Sequence, residues 1–537
     1  MNPSSQYQPV VNLPAIKPPQ MQLQQQRPAG SSAIAVLLPT KTTQLPDALR
    51  GLNAELNGAL ELARQHGDFK GQPGDVAVCP LDHPSRRLLL GGLGQSESLD
   101  ADQIRWTAAS IARKARQLRL RGVSIYLQSM ESIFVSNPQL LEALAEGLTL
   151  GCFEYTPFKA AEKEAGDVKA TPATMPTFHL ILTTGKRHTL FHQAIATGTT
   201  IAQSANYARY LACHPGNVVN PATLVREARA LARITGLSVE IIDHIKAVAL
   251  GMGGLLSVGQ GSASPPALIL LEYKPPSIPR AGRSAKPVVL VGKAVTFDTG
   301  GISIKPAPDM GLMKFDKCGG MAVLGAMQAI AALQLPIPVI GAIPTAENSV
   351  DALAYRPGDI IRMYNGKTVE VTNTDAEGRL ILADALNYVC RRYHPAAVID
   401  LATLTGGVIV ALGSVYAGLM SNRQTLAQAL QSAGTYSGEW LWPLPLHDRY
   451  TALLESPHAD IANSGPREAH PIQGGMFLRH FVPTEIPWAH LDIAGTSHPK
   501  KDDRYLVGKS ASGFGVRLLV EYLRHHHGQE QTPESQR

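Results

Sequence analysis

Apolar residues along the chain follow two alternating patterns. Short runs of apolar residues occur at 33–38, 267–273 and 288–291, and between such runs lie stretches, for example 104–120, in which apolar residues recur every three or four positions. The runs are typical of strands buried on both faces of a sheet, and the recurring positions are typical of amphipathic helices. The alternation predicts an α/β fold whose larger part has a mixed, mainly parallel central sheet.

Changes in composition divide the chain into five predicted segments. The first, 1–32, contains seven glutamines, six prolines and no acid, which predicts a disordered extension. A smaller α/β domain over 33–189 and a connecting helix over 190–216 follow it. The larger α/β domain, over 217–524, begins within the Pro- and Asn-rich stretch HPGNVVNP. Residues 525–537 are expected to form a polar tail.

Overall composition excludes several classes of protein. Of 537 residues, 44% are apolar and 17% charged, and the formal net charge of +6 does not by itself indicate nucleic-acid binding. The five cysteines include no C-x-x-C pair, which excludes a cysteine-rich zinc module and is typical of a reducing compartment, so we expect a cytoplasmic protein. The uncharged segments 318–346 and 401–420 contain Pro, Gln or Gly and are expected to be buried rather than to span a membrane.

A basic stretch lies in the predicted helix of the first domain. A solvated helix face is the ordinary interpretation of such a stretch, and contact with an anion or a nucleic acid is the alternative. Repeated across an oligomer, the stretch would form a positive groove, so nucleic-acid binding stays open as a second function. The residues concerned are Arg113, Lys114, Arg116, Arg119 and Arg121.

The stretch NTDAEGRL, at 373–380, places two acids, a glycine and an arginine between a predicted strand at 368–372 and a predicted helix at 380–393. Acids at the beginning of a helix accept unpaired amide protons and meet the positive end of the helix dipole, so they can be a simple cap. The carboxyl ends of strands in such sheets are also where ligands bind. On its own, the stretch allows both interpretations.

A second polar cluster changes this balance. Directly after the predicted strand 288–291, a long loop region rich in Gly and Pro includes Lys293, Asp298, Lys305 and Asp316. Together with Asp375 and Glu377 they supply four carboxylates, which would repel one another if they met in one pocket without cations. Two divalent ions would neutralise them, and ligation by oxygen without histidine suits Mn, Mg, Zn or Co(II). A lysine can join such a site only as the neutral amine.

Both clusters resemble one family. NTDAEGRL is similar to the signature of the leucyl aminopeptidases, also called cytosol aminopeptidases, and VGKAVTFDTGGISIKP, at 291–306, is similar to their first metal segment. The resemblance extends over 217–523 through DLATLTG, GLMSN, ADIANSG, WAHLDIAGT and GFGVRLL. It implies an enzyme that releases amino-terminal residues, preferably leucine-like ones, from short peptides with a free amino terminus, by attack of water held between two metal ions.

The resemblance also implies how the metal ions are held. Asp298 and Glu377 would bridge two divalent ions, for which manganese and zinc are the candidates. Lys293 and Asp316 would complete the tighter site. Asp375 would complete the more exchangeable site.

Catalytic and substrate-binding roles follow from the same resemblance. Lys305 would stabilise the oxygen that becomes negative in the tetrahedral transition state, and Arg379 would hold a bicarbonate ion that acts as the general base. Met313, Thr403 and Gly406 would line the pocket for the first side chain. The family also implies a homohexamer whose active sites face an interior cavity.

The chain departs from the family pattern directly after Asp316, where it reads KCGG. Lys317 is expected to add a cation beside the site, and Gly320, in place of the usual alanine, is expected to loosen the start of the following helix. A two-metal phosphoesterase is a further alternative, which Lys293 as a metal ligand disfavours.

Overall fold

The computed structural model describes residues 17–29, 31–40, 44–65, 69–81, 86–95, 99–158, 175–183, 188–276, 286–499, 504 and 510–525. The described residues form two compact units, one up to residue 206 with Arg504 and the other from residue 207 onward. The division falls within a helix at His188–Cys213. Most of the predicted extension and all but one residue of the predicted tail lie outside the described residues, and the five predicted segment limits stay predictions.

The first unit is built on a six-stranded sheet with the order β1-β6-β5-β2-β4-β3. All neighbouring strands are parallel except β3 and β4. The strands are β1 (Gln20–Gln24), β2 (Ala33–Leu38), β3 (Val76–Pro80), β4 (Arg87–Gly92), β5 (Gly122–Tyr126) and β6 (Thr177–Ile181). The helices are α1 (Arg50–Glu55), α2 (Ala59–Gln65), α3 (Ala101–Gln117), α4 (Glu131–Ser136), α5 (Gln139–Gly151) and α6 (His188–Cys213).

Strand β1 corrects the prediction that the whole of 1–32 is disordered. Gln20–Gln24 pairs in parallel with β6 at the edge of the sheet. The sequence QMQLQ alternates polar and apolar residues, with Met21 and Leu23 on one face, as a half-buried edge strand does. The Gln- and Pro-rich composition of the surrounding segment concealed this short alternation.

The basic stretch of the first unit is partly occupied by contacts within that unit. Arg116 donates to the carbonyl of Cys152 at 2.7 Å and pairs with Glu154, and Arg113 donates to Ser110 at 2.9 Å. The sequence predicts a solvated face over the whole stretch, whereas Arg113 and Arg116 are engaged in contacts within the unit. Nucleic-acid binding stays an untested alternative.

The second unit contains a nine-stranded sheet in the order β16-β15-β18-β14-β9-β11-β8-β7, with β10 paired to β11. The central strands β18, β14, β9 and β11 are parallel, whereas β8, β7 and β15 join antiparallel. The strands are β7 (Ser238–Ile242), β8 (Ala267–Tyr273), β9 (Val288–Gly292), β10 (Ala294–Asp298), β11 (Val339–Asn348), β14 (Ala397–Ala402), β15 (Ala417–Ser421), β16 (Leu441–Pro443) and β18 (Trp488–Asp492). The predicted mixed, mainly parallel sheet is confirmed.

A small three-stranded sheet and nine helices complete the described part of this unit. The small sheet consists of β12 (Ile360–Arg362), β13 (Thr368–Glu370) and β17 (Ile461–Ala462). The helices are α7 (Pro221–Thr235), α8 (His244–Leu250), α9 (Gly253–Gly259), α10 (Cys318–Leu333), α11 (Glu377–Tyr393), α12 (Gly406–Leu412), α13 (Gln424–Ser437), α14 (His470–Arg479) and α15 (Val516–His525). Among the described helices of the chain, none offers an apolar stretch of the length that crossing a membrane requires.

Helix α11 is fixed in the core by a buried carboxylate. Asp384 accepts hydrogen bonds from the amides of Leu255 at 3.0 Å and Tyr364 at 2.8 Å, and also from that of Gly254. Burial raises the pKa of Asp384 to about 7, although these amides oppose the shift. The residue thus joins α11 to the start of α9 and to the turn after β12.

This carboxylate predicts a pH dependence of stability. Because the pKa of Asp384 is higher in the folded chain than its ordinary value, the folded state binds the proton more tightly, and the stability that Asp384 contributes falls as pH rises through about 7. Asp384→Asn is expected to flatten that part of the profile. Melting temperatures of both proteins between pH 4 and 8 would check this, and parallel profiles would contradict it.

Candidate metal centre

The predicted site residues meet at the carboxyl edge of the large sheet. Lys293 directly follows β9, Asp298 is the last residue of β10, and Thr403 directly follows β14. The carboxyl ends of neighbouring parallel strands lie at the same edge, so these three residues come together. Glu377, the first residue of α11, enters the same place from the end of the NTDAEGRL loop.

Three carboxylates form the centre of the site. One oxygen from each of Asp298, Asp375 and Glu377 lies within 4.8 Å of the other two. Asp298 and Glu377 are buried, whereas Asp375 is partly exposed. Such a group of oxygen ligands is of the kind that holds a divalent cation.

Two lysines separate the acids into pairs. Lys293 Nζ lies 2.7 Å from Asp316 Oδ2 and 2.8 Å from Glu377 Oε1, and it also donates to the carbonyl of Thr403 at 2.9 Å. Lys305 Nζ lies 2.8 Å from Asp298 Oδ2 and 2.5 Å from Asp375 Oδ1. The structure therefore brings together all four predicted acids and both predicted lysines.

The electrostatics of the cluster favour further positive charge. Burial raises the pKa of Asp298 and of Asp316, and the neighbouring Glu377 charge adds to both shifts. Burial and the charges of Glu377 and Asp298 raise the pKa of Asp375 to about 6. The three aspartates are therefore more easily protonated than usual, whereas at Glu377 the charges of Lys293 and Lys305 outweigh burial and lower the pKa. Four carboxylates share two ammonium groups, so the lysines do not balance the negative charge of the cluster.

The donor set fits divalent metal ions. Oε2 of Glu377 is buried and has no hydrogen-bond partner among the described residues, a costly arrangement for a carboxylate oxygen unless a cation binds it. Burial disfavours the charged form of Lys293, but Asp316, Glu377 and Asp298 outweigh it and raise its pKa. A metal ion bound to Lys293 would have to replace that proton, since only the neutral amine is a ligand.

Arg379 lies one turn into the same helix and is buried. Its Nη1 donates to the carbonyl of Asn463 at 2.7 Å, and its Nε has no partner among the described residues. Burial lowers the pKa of Arg379 to about 10, so the guanidinium remains charged at neutral pH. A buried, charged N–H without an acceptor is suited to an anion.

The predicted substrate residues have different surroundings. Thr403 donates from Oγ1 to Asp316 Oδ1 at 2.6 Å, so its hydroxyl orients a predicted metal ligand. Gly406 begins α12, and a side chain on it would meet open space. Met313 is half-buried in a short 3-10 helix at Met310–Phe315. Their role in side-chain selection stays a prediction.

The structure shows contacts of Lys317 and Gly320 that the sequence did not reveal, and both expectations for the KCGG stretch stay predictions. Lys317 is buried and donates to the carbonyl of His214 at 2.8 Å and to that of Lys314, rather than to a site carboxylate, and burial lowers its pKa to about 8. At Gly320 a side-chain carbon would stand 2.7 Å from Ala294 Cβ. The glycine therefore allows α10 to approach β10 closely.

Sequence patterns did not reveal the amide that orients Asp298. Asn348, the last residue of β11, is buried and donates from Nδ2 to Asp298 Oδ1 at 2.8 Å and to the carbonyl of Thr374 at 3.1 Å. Tyr355 donates to the same carbonyl at 2.6 Å. These bonds hold the loop before Glu377 against the end of β10. The sequence feature that could have indicated this role is the position of Asn348 at the carboxyl end of a strand.

Asn348→Ala is therefore expected to weaken metal binding by about 10- to 100-fold, the usual cost of losing a residue that supports a metal ligand. Calorimetric titration of metal-free protein with Mn²⁺ would measure it. Asn422→Ala is the matched control, because the Asn422 amide binds only backbone groups of Ile486 and Trp488. Equal affinities in the Asn348 variant and the control would contradict the positioning role.

Comparison with protein families decides the class of the protein. Residues 206–520 match the catalytic domain of the cytosol aminopeptidase family, and residues 35–162 match its N-terminal domain. The chain belongs to the cytosol aminopeptidase family. It is therefore a hydrolase and a metal-dependent aminopeptidase, and the resemblance inferred from the two motif clusters is confirmed.

Individual relatives cover nearly the whole chain. A probable cytosol aminopeptidase of Geotalea uraniireducens is 41% identical over 485 residues, 89% of this chain and 94% of that protein. The corresponding protein of Syntrophobacter fumaroxidans is 42% identical over 457 residues, 84% of this chain and 88% of its own.

Solved structures show the same fold. A mutant of tomato leucine aminopeptidase has a TM-score of 0.81 at 32% identity and covers 94% of this chain and 96% of its own. The bottromycin maturation enzyme BotP in complex with Mn has a TM-score of 0.77 at 32% identity and covers 92% and 99%.

Proposed function

We propose that this aminopeptidase preferentially releases leucine-like amino-terminal residues from short peptides, using two divalent ions held by Lys293, Asp298, Asp316, Asp375 and Glu377. The observation that carries the proposal is the convergence of three carboxylates within 4.8 Å, with Glu377 Oε2 buried and unpartnered among the described residues. Manganese is the first candidate, since BotP is similar in fold and was solved with Mn. Zinc is the second.

The two lysines differ in their exposure to solvent, and we assign them different roles. The side chain of Lys293 is 2% exposed, whereas that of Lys305 is 20% exposed. Lys293 is enclosed by ligand groups and is assigned to a metal ion, and Lys305 is the ammonium that substrate can reach. When bound, the ions would polarise the scissile carbonyl and lower the pKa of water. Lys305 donates to the carbonyl oxygen as it becomes negative.

Arg379 is assigned to a bicarbonate ion. Its unpartnered Nε–H supplies a charge-assisted hydrogen bond to the anion, while the bond from Nη1 to Asn463 fixes the orientation of the guanidinium. Met313, Thr403 and Gly406 are assigned to the first side-chain pocket. We further propose a cytoplasmic homohexamer, which sedimentation analysis would test.

A scan of aminoacyl amides tests the proposed specificity. With Mn²⁺, leucinamide should be cleaved fastest among the amides, and N-acetyl-leucinamide, which lacks the free amine, should not be cleaved. Equal rates on the free and acetylated substrates would refute restriction to the amino terminus. Faster cleavage of glutamic acid amide than of leucinamide would refute the leucine preference.

A further inference from the structure

Helix α14 begins in an unusual way next to the site. Its first residue, His470, follows Ala469, whose φ of 52° lies in the left-handed region. Such a conformation is unfavourable for a residue with a side chain, and residues of this kind cluster at functional sites. Pro471 follows and favours the helical start. The backbone thus holds His470 in a defined position.

That position is beside the predicted substrate pocket. A side-chain carbon on Gly407 would stand 3.1 Å from His470 Cβ and 2.8 Å from Pro471 Cδ, so the glycine provides the space that His470 occupies. Gly407 directly follows Gly406 at the start of α12. The loop leading to His470 is fixed by Gln473, which donates to the carbonyls of Pro466 and Glu468.

The start of α14 is joined to the segment that binds Arg379, because Gln473 accepts from the amide of Gly465 at 3.0 Å and the carbonyl of Asn463 accepts from Arg379 at 2.7 Å. Burial lowers the pKa of His470, the Arg379 charge from α11 lowers it further, and the Asp492 charge from β18 opposes both. The imidazole is therefore neutral near pH 7. It is half-buried, and no hydrogen bond to its ring is present among the described residues. A neutral imidazole with a free ring nitrogen is a proton acceptor.

The other basic groups of the site are already engaged. Asp298 and Asp375 share Lys305, Asp316 and Glu377 share Lys293, and Arg379 cannot accept a proton. His470 is the neighbouring group that can exchange a proton with solvent without disturbing a predicted metal ligand.

We propose that His470 is an acid–base residue of this active site, acting beside the anion position at Arg379. As water attacks the scissile carbonyl, one O–H bond of the water breaks and the imidazole takes up the proton. As the C–N bond breaks, the imidazolium returns that proton to the leaving amine. This step rests on the proposed function.

The pH profile of His470→Gln tests it with Mn²⁺ and leucinamide. General acid–base catalysis is worth about 10²-fold or more, so kcat should fall by about 10²-fold while KM changes little. In the wild type, kcat should rise with pH, with a midpoint below the ordinary pKa of histidine. This rise should be absent in the variant. Added imidazole should restore part of the rate.

His480→Gln is the matched control, because His480 is also half-buried and its pKa is likewise lowered by burial and nearby cations. It should keep the wild-type profile. A His470 variant with the wild-type rate and acid limb would overturn the acid–base role. An inactive wild-type protein would instead refute the proposed function.

Chemical modification of the wild-type protein gives a readout that needs no turnover or folded variant. Diethyl pyrocarbonate acylates neutral imidazole, and mass spectrometry can follow the peptide that contains His470. Acylation should be half-maximal below pH 6.5 and should slow when bicarbonate is added. A half-maximum above that pH, or no effect of bicarbonate, would contradict the placement of His470 beside Arg379.

Discussion

Glu377→Ala is expected to abolish turnover and to remove both metal ions. Glu377 is buried and lies 2.8 Å from Lys293 through Oε1, its Oε2 has no hydrogen-bond partner among the described residues, and one of its oxygens lies within 4.8 Å of Asp298 and Asp375. If Glu377 is the bridging ligand that we propose, the loss of affinity should exceed the ~10²-fold that removal of a supporting residue costs.

Metal analysis and leucinamide hydrolysis on the same preparation would measure this effect. Glu455→Ala serves as the control, since Glu455 is exposed and its loss should change neither quantity. A Glu377 variant that keeps two ions and wild-type activity would show that the carboxylate is not a bridging ligand.

Lys305→Ala is expected to lower kcat by about 10²- to 10³-fold while metal content is kept. A positioned donor to the developing oxyanion is worth this much in other hydrolases, and Lys305 is the more exposed of the two site lysines. Burial opposes its charge, but Asp298, Glu377 and Asp375 outweigh burial and raise its pKa, so the ammonium persists across the working pH range.

Steady-state kinetics and metal analysis together would separate this role from metal binding. Lys246→Ala is the control, because Lys246 is an exposed lysine on α8. Loss of metal together with loss of rate would mean that Lys305 holds the site together. A kcat close to the wild-type value would exclude the oxyanion role.

Much of the site could be predicted because its ligands lie in two short stretches of sequence. Strand patterns place Lys293 at the end of a strand, and NTDAEGRL carries two acids at the start of a helix. Four carboxylates in one pocket repel one another, so the pocket is expected to hold cations. That reasoning needs only chain-local spacing and charge, and the structure brings the same residues together.

The residues that support the site could not be predicted in this way. Asn348 is 50 positions from Asp298 in the chain, and its role depends on how β11 aligns with β10. Lys317 directly follows a predicted metal ligand in sequence, and its hydrogen bond to the carbonyl of His214 is visible only in the structure. The close contact between Gly320 and Ala294 is likewise visible only in the structure. Each of these contacts forms only when the chain is folded.

Titration of metal-free protein with Mn²⁺, while leucinamide hydrolysis is followed, tests the central claim most directly. If Asp298 and Glu377 bridge two ions, activity should be absent without metal and should saturate at two equivalents per chain. Saturation at one equivalent, or full activity in the presence of a chelator, would contradict a two-metal aminopeptidase site.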